Sequence, residues 1–421
     1  MVHSGQKLRI LIYSANFAPE PTGIGKYSGE MAAWLAAHGY EVRAVAAPPY
    51  YPAWKVAPSY QWPPFTREQW CGVAVWRAPI WVPKDPRGLT RVLHLLSFAV
   101  SSFPIVLWQC FWRPDIVLTV APAFLCAPAG LLAARLCGAR SWLHLQDFEV
   151  DMAFGMGLLK GELLRSIVLR MERWVLRRFD VVSSISSRMV EHLLRKGVEP
   201  ARTRYFPNWV DCTRIHPGAP RTRYRDDLGI APQSVVALFS GSLGGKQGLM
   251  IIPQVAALLK DRRDIDFVIC GDGVMKAALQ AASAGLANVH LLPLQPTERL
   301  AELLDMADIH LLPQSPDAAD LVLPSKLSGM LASGRPVIAT VGADTEIAGI
   351  VNQCGLVVPP ENRAELSAAI VRLADDRTLR LELGRSARAY AETHFARDAV
   401  MHTVFESVDN ELEDAVNDIA L

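Results

Sequence analysis

Three segments of this 421-residue chain combine residues that could grip an anion. The first is Pro19-Glu20-Pro21-Thr22-Gly23-Ile24-Gly25-Lys26, between the apolar run Ile10 to Tyr13 and a helical pattern over Tyr27 to Ala37. The second, Gly241-Ser242-Leu243-Gly244-Gly245-Lys246-Gln247-Gly248, follows the apolar run Val235 to Ser240. The third is Leu323-Pro324-Ser325-Lys326, where Pro324 opens a helix that Gly334 stops. A glycine-rich strand-to-helix turn leaves backbone N–H groups free, and the helix dipole favours a phosphate beside them. Gly23, Gly25, Gly241, Ser242, Gly244, Gly245 and Ser325 are therefore candidate phosphate contacts, with Lys246 and Lys326 to neutralise charge. A plain glycine-rich turn remains the alternative for each loop. Neither is a nucleotide fingerprint of another kind. Gly23, Gly25 and Gly29 do not follow G-x-G-x-x-G, the second strand ends in Ala46-Ala47-Pro48 without a ribose carboxylate, and G-x-x-x-x-G-K-[ST] is absent.

The elements that position these loops repeat one rhythm: a short apolar run, then a helical pattern. That is the signature of parallel sheets with helices on both faces. Seven strands are expected in the front half, at 8–14, 41–46, 73–77, 115–120, 140–145, 180–184 and 203–206. Six are expected in the back half, at 235–240, 265–270, 289–294, 309–313, 336–340 and 355–358. The fold class is α/β, with two doubly wound domains, as the length also requires. Asn208 to Asp211 and the Pro- and Arg-rich stretch 213–227 read as the linker. The expected domains are 1–212, 213–390 and a helical tail, 391–421.

Composition, at 51% hydrophobic and 20% charged, excludes a disordered chain. Up to Ile215 there are 25 basic and 15 acidic residues; the remainder has 18 and 27. The basic front half is expected to face an anionic partner. No basic run with interleaved aromatics occurs, so nucleic acid is not that partner. Seven cysteines without CxxC spacing read as reduced thiols of a cytoplasmic protein, with no metal site. The first apolar run is too short for a secretory signal and reads as a strand.

Val92 to Trp112 carries no charged residue over 21 positions. Its length could cross a bilayer, but His94, Ser97, Ser101, Ser102, Pro104 and Gln109 and the strand that follows at once speak for a buried or interfacial helix. In the interfacial case Lys84, Arg87 and Arg91 would meet anionic lipid. Leu164, Ile167, Val168, Met171, Trp174 and Val175 make a second amphipathic helix, with Arg170, Arg173 and Arg177 on its other side.

The order of these motifs resembles the nucleotide-sugar glycosyltransferases of the GT-B fold, family 4, over nearly the whole chain. The resemblance rests on Pro21 to Gly25, Pro207-Asn208-Trp209-Val210-Asp211, Gly241 to Gly248, Gly271-Asp272-Gly273, Ala307-Asp308 and Ala332-Ser333-Gly334-Arg335-Pro336-Val337. The wording of 243–248 with 324–327 is similar to a subgroup that builds bacterial exopolysaccharide and O-antigen, including fucosyl and N-acetylfucosaminyl transferases. It implies two Rossmann-like domains facing across a cleft and closing about a hinge near Asn208. The donor is a nucleotide-diphosphate sugar, with GDP-fucose or a relative suggested by the subgroup, and no cofactor or metal is obligatory. Transfer proceeds with retention to a lipid-linked saccharide acceptor, by an enzyme peripheral on the inner membrane. Gly271 joins the donor contacts. Gln146-Asp147 falls where the family places polar residues beside the acceptor, making Asp147 the candidate catalytic carboxylate, with Asp151 second; a helix cap is its plainer role. His144, inside a strand, reads as a core histidine. The family's Glu-x7-Glu pair is absent, since its positions hold Leu321 and Gly329, and Asp317, Asp320 or Glu346 must substitute. A nucleotide-sugar epimerase and a non-catalytic binding subunit of an assembly complex remain alternatives.

Overall fold

Apolar runs too short for helices and buried on both faces become the central strands of parallel sheets. In the front half these are β1 (Arg9–Ser14), β2 (Glu41–Ala46), β4 (Val73–Arg77), β5 (Ile116–Ala121), β6 (Arg140–Leu145) and β7 (Val181–Ser184), with the polar strands β3 (Thr66–Trp70) and β8 (Thr203–Tyr205) at the edges. In the back half they are β9 (Val235–Ser240), β10 (Ile265–Cys270), β11 (Val289–Leu292), β12 (Ile309–Pro313), β13 (Val337–Thr340) and β14 (Gly355–Val358). The computed structural model describes residues 8–84, 88–121, 124–151, 162–218, 223–316, 323–406 and 408, without the side chains of Glu162, Leu164 and Lys246. It divides into two compact units, 1–206 and 207–421.

The front sheet has the order β3-β4-β2-β1-β5-β6-β7-β8, and the rear sheet β11-β10-β9-β12-β13-β14. Every pairing is parallel except β3 with β4. β3, which the sequence did not announce, reads Thr-Arg-Glu-Gln-Trp and lacks an apolar run. It exists because Cys71 and Gly72, at φ +45° and +85°, turn the chain back onto β4.

Arg77, the last residue of β4, is fully buried and clamps the exits of neighbouring strands. It donates to the carbonyls of Ala47 at 2.9 Å and Ala18 at 2.5 Å, and pairs with Glu68. In the rear unit, buried Arg225 ties the opposite ends, the entries of β9 and β12, binding the carbonyls of Met306 and Ser234 and the Asp308 carboxylate. Such charges are tolerated inside only when every donor is satisfied. Val210 bridges Ala396, and Phe395, Met401 and Phe405 are buried in the rear unit, so the described part of 391–421 is packed there rather than trailing.

The uncharged segment forms the helix Leu89–Gln109, continued by a 3-10 turn, Cys110–Trp112. It is long and apolar enough to cross a bilayer. One face is nevertheless built into the front core through Phe98, Ser102 and Val106, with Ser102 bonded to Tyr13 at 2.7 Å. The other face is open: Val100 is 65% and Phe111 86% exposed. The helix Glu162–Leu176 turns the same way. Val175 is buried, but Ile167, Met171 and Trp174 of its apolar stripe face outward. The buried face instead carries Glu172, paired with Lys196.

Candidate functional site

In a parallel sheet the loops leaving the carboxyl ends of the strands gather along one edge, and ligands bind there. In the rear unit this edge carries 241–248 after β9, 271–273 after β10 and the Lys326 segment after β12. Gly271 has φ +156°, and a Cβ on it would lie 1.9 Å from the Gly241 carbonyl oxygen. The two loops thus touch backbone to backbone. The Gly241 N–H donates to Cys270 O at 3.0 Å, Leu243 N–H to Asp272 O at 2.8 Å and Met275 N–H to Leu243 O at 3.0 Å.

Two of the expected phosphate contacts have their amides engaged between the loops. The Gly241 amide, expected to cradle phosphate, is spent on holding the loop, and the Gly271 amide donates to Leu292 O. Their glycine identity serves the close approach. The amides of Ser242, Gly244 and Gly245 have no acceptor among the described residues, and Ser242 and Gly245 are exposed.

Lys326 begins the helix Lys326–Ala332 and lies directly against this loop, its Cδ 3.5 Å and Nζ 3.9 Å from a Cβ built on Gly241. The ammonium donates to Gln247 Oε1 at 3.0 Å and sits 4.2 Å from the centre of the Phe239 ring. Among the described residues no carboxylate pairs with it. Burial alone pulls its pKa down to about 7. A cation held in apolar surroundings without a counter-ion is a strong place for an anion to bind.

Other expected contacts are less informative. Ser325 is exposed, caps nothing and precedes a helix of only seven residues. Lys246 has its backbone in the 3-10 turn Gly245–Gln247, while its side chain lies outside the described residues. Asp317, Asp320 and Leu321 also lie outside them. Glu346 is half-buried in the first turn of Glu346–Val351, after β13, where its charge reaches Tyr390. A Cβ on Gly329 would meet Leu304 and Ile215, so a glutamate there would start among apolar groups. Asp308 and the turn at Gly334 are structural: the carboxylate accepts the Val236 amide at 2.9 Å, and Arg335 binds Ala307 O at the amino end of the sheet.

The front unit's corresponding edge is acidic. Glu20 is buried and fills the turn after β1, accepting from the amides of Tyr50 at 3.1 Å and Tyr51 at 3.0 Å and from Asn16 Nδ2 at 2.9 Å. A Cβ on Gly25 would fall 2.3 Å from Glu20 Oε2. Gly25 is thus required for the carboxyl group to fit, a reason that involves no phosphate, and Gly23 supplies the positive φ of the turn. Burial pushes the Glu20 pKa up, against the pull of its hydrogen bonds and Arg77.

Asp147 follows β6, where burial raises its pKa to about 6 against the charge of Arg91. Two residues on, Glu149 Oε2 accepts the Phe124 amide at 3.0 Å, while Oε1 is buried without a partner among the described residues. Burial raises Glu149 to about 7, opposed by the Phe124 amide and Arg91 and reinforced by Asp147. The charge of one arginine, Arg91, opposes burial at both carboxyl groups. Sequence reading missed Glu149, whose only signal was the Gln-Asp-Phe-Glu alternation, and gave Arg91 to lipid, whereas its charge acts on Asp147 and Glu149. Asp151 is engaged elsewhere, by His192 at 2.8 Å and Lys196 at 2.9 Å. His144 is buried between Ser183 and Gln146, and burial drives its pKa to about 3, so it stays neutral.

Known proteins share the family and the fold of this chain. Residues 22–209 match the glycosyl transferase 4-like domain, and residues 234–376 match glycosyl transferases group 1. The chain is 40% identical over 411 residues to the putative colanic acid biosynthesis glycosyl transferase WcaI of Escherichia coli K12, covering 95% of this chain and 100% of that one. Sucrose-phosphate synthase from Thermosynechococcus elongatus superposes with a TM-score of 0.71 at 19% identity, over 97% of this chain and 100% of the other. Anabaena HepE in complex with UDP-glucose does so at 0.68 and 15% identity, over 96% and 100%. Two doubly wound units, these matches and a lysine-bearing glycine edge lead to one assignment: the chain belongs to the family 4 glycosyltransferases of the GT-B fold.

Proposed function

We propose that this glycosyltransferase moves a sugar from a nucleotide-diphosphate donor, with retention, to a lipid-linked saccharide in the synthesis of an exopolysaccharide such as colanic acid, or of O-antigen. The observation that carries the reading is Lys326, an ammonium with no carboxylate partner among the described residues, set against the loop whose Ser242, Gly244 and Gly245 amides have no acceptor among them. The WcaI match supports the pathway, and the UDP-glucose of HepE supports the donor class. Subgroup wording favours a fucose-type sugar on GDP.

The bond between the anomeric carbon and the β-phosphate oxygen breaks, leaving negative charge on the diphosphate. Lys326, the three amides and Lys246 stabilise that charge as it develops. The acceptor oxygen forms the new bond to the same carbon and passes its proton to Asp147, poised as a base by its burial. Glu149 and Arg91 hold the acceptor hydroxyls, and Glu346 contacts the donor.

The acceptor's lipid calls for a membrane, and the open face of helix Leu89–Gln109 fits that need. So does Glu162–Leu176, which sets exposed Met171 and Trp174 beside Arg170 and Arg173. Adsorption to the cytoplasmic side of the inner membrane follows.

The test incubates purified protein with GDP- and UDP-sugars, with and without membrane lipid extract. Transfer with retained configuration, lost in Lys326→Ala, supports the reading. A donor isomerised without acceptor would show an epimerase, and donor binding without transfer a non-catalytic subunit; either overturns it.

A further inference from the structure

At the opposite edge of the front sheet, where β2 begins and the β3–β4 hairpin turns, lies a cavity of about 530 Å³ lined by Tyr40, Glu41, Arg43, Arg67, Gln69 and Cys71 among others. That volume lies in the range of small-ligand sites. Two guanidinium groups converge on one indole there, Arg43 at 5.2 Å and Arg67 at 4.9 Å from the Trp76 ring centre. Arg43 also stacks on Trp112 at 4.3 Å and donates to Gln109 Oε1 at 3.1 Å.

The carboxylate lining the cavity has other partners. Glu41 is held by the Trp112 indole N–H at 2.9 Å and by Arg9 at 3.2 Å. Among the described residues neither Arg43 nor Arg67 forms an ion pair. Burial, together with the charges of Arg67 and Arg9, holds Arg43 below its ordinary pKa, with Glu41 opposing. Two like charges stacked on one ring at a cavity wall are relieved by an anion, and a forked guanidinium pair suits phosphate oxygens.

The neighbourhood indicates where that phosphate comes from. Trp76 meets Trp108 edge-on at 6.0 Å, and Trp108 and Phe111, both exposed, sit at the end of the apolar open face. Aromatic side chains at headgroup depth beside arginines are the arrangement of an interfacial anchor.

We propose that the Arg43–Arg67 cavity binds the phosphate of an anionic lipid headgroup, separately from the acceptor site at the strands' other end. The inference rests on the membrane part of the proposed function. Its test is flotation of the full chain with phosphatidylcholine vesicles, with and without phosphatidylglycerol. The wild type should prefer the anionic vesicles. Arg67→Gln, at an exposed side chain that should not affect folding, should cut that preference about fivefold, and adding Arg43→Gln by about as much again. Arg67→Lys should restore most of it, while Phe111→Ser should weaken binding to both vesicle types alike. An unchanged preference in the double variant overturns the cavity and leaves the membrane reading standing. If the wild type floats with neither vesicle, the membrane reading falls. The phosphate claim is then read from inorganic phosphate: a rise in melting temperature that Arg67→Gln abolishes supports a soluble phosphate ligand, and no rise overturns the site.

Discussion

The turn after β1 and the loop after β9 look alike in sequence, since each is a glycine-rich exit from the first strand of a doubly wound sheet. Their interiors are opposite. The front turn encloses a carboxyl group, Glu20, which takes up two amides and needs the missing side chain of Gly25. The rear loop lies against an ammonium, Lys326, and leaves three amides without an acceptor among the described residues. Glycine marks close approach in both places, and what approaches decides the chemistry. On the proposed function, an anion binds at the second and not at the first.

The largest expected effect tests the rear loop's charge. Lys326→Ala should lower kcat/KM by about 10²–10³-fold, the scale of losing one preorganised donor to a developing oxyanion, and should abolish GDP or UDP binding in calorimetry. Should the variant bind nucleotide normally, the contrast between the loops would carry no function.

Next come the glycines. Gly271→Ala forces a Cβ onto the Gly241 carbonyl at positive φ, and should cost about 3 kcal/mol together with donor binding. Gly25→Ala meets a side chain that can move, and should cost about 1–3 kcal/mol of stability with donor affinity unchanged. Chemical denaturation beside nucleotide titration separates the two; a Gly25→Ala that loses donor binding would break the comparison.

The third effect is on pH. Burial lowers the Lys326 pKa to about 7; if a diphosphate binding there restores its proton, affinity should be greatest below about 7. Above it, affinity should fall by up to about tenfold per pH unit. A flat profile from calorimetry at several pH values would remove the ammonium from binding. On the front side, Asp147 and Glu149 have raised pKa values, so turnover should rise with pH through about 6 to 7, and in Asp147→Asn the residual turnover should lose the part of that rise near pH 6. The smallest effect belongs to Glu20→Gln, which keeps a carbonyl for the Tyr50 and Tyr51 amides and should alter donor affinity less than about twofold.

Much of the fold could be read in advance. The central strands are contiguous apolar runs, and their boundaries need only local information. β3 could not be read so, because a polar edge strand is created by its partner. The helix Glu162–Leu176 shows the reverse limit. Its apolar stripe was legible, but periodicity cannot say which face turns inward, and here the buried Glu172–Lys196 pair anchors the other side. At the site, the glycines and Lys326 were visible, whereas Glu20, Glu149 and Arg91 gave almost no signal, since their roles depend on burial.

By itself, then, the sequence determined two sets of parallel strands, the glycine loops between strand and helix, the basic front and acidic rear halves, and the family. Tertiary structure decided which glycine admits a carboxylate and which a second backbone, that Lys326 lies against Gly241, and that Asp147 and Glu149 share one arginine. The reason is physical: strand and turn preferences act between neighbours along the chain, whereas charge, desolvation and close contact act through space between segments that only folding brings together.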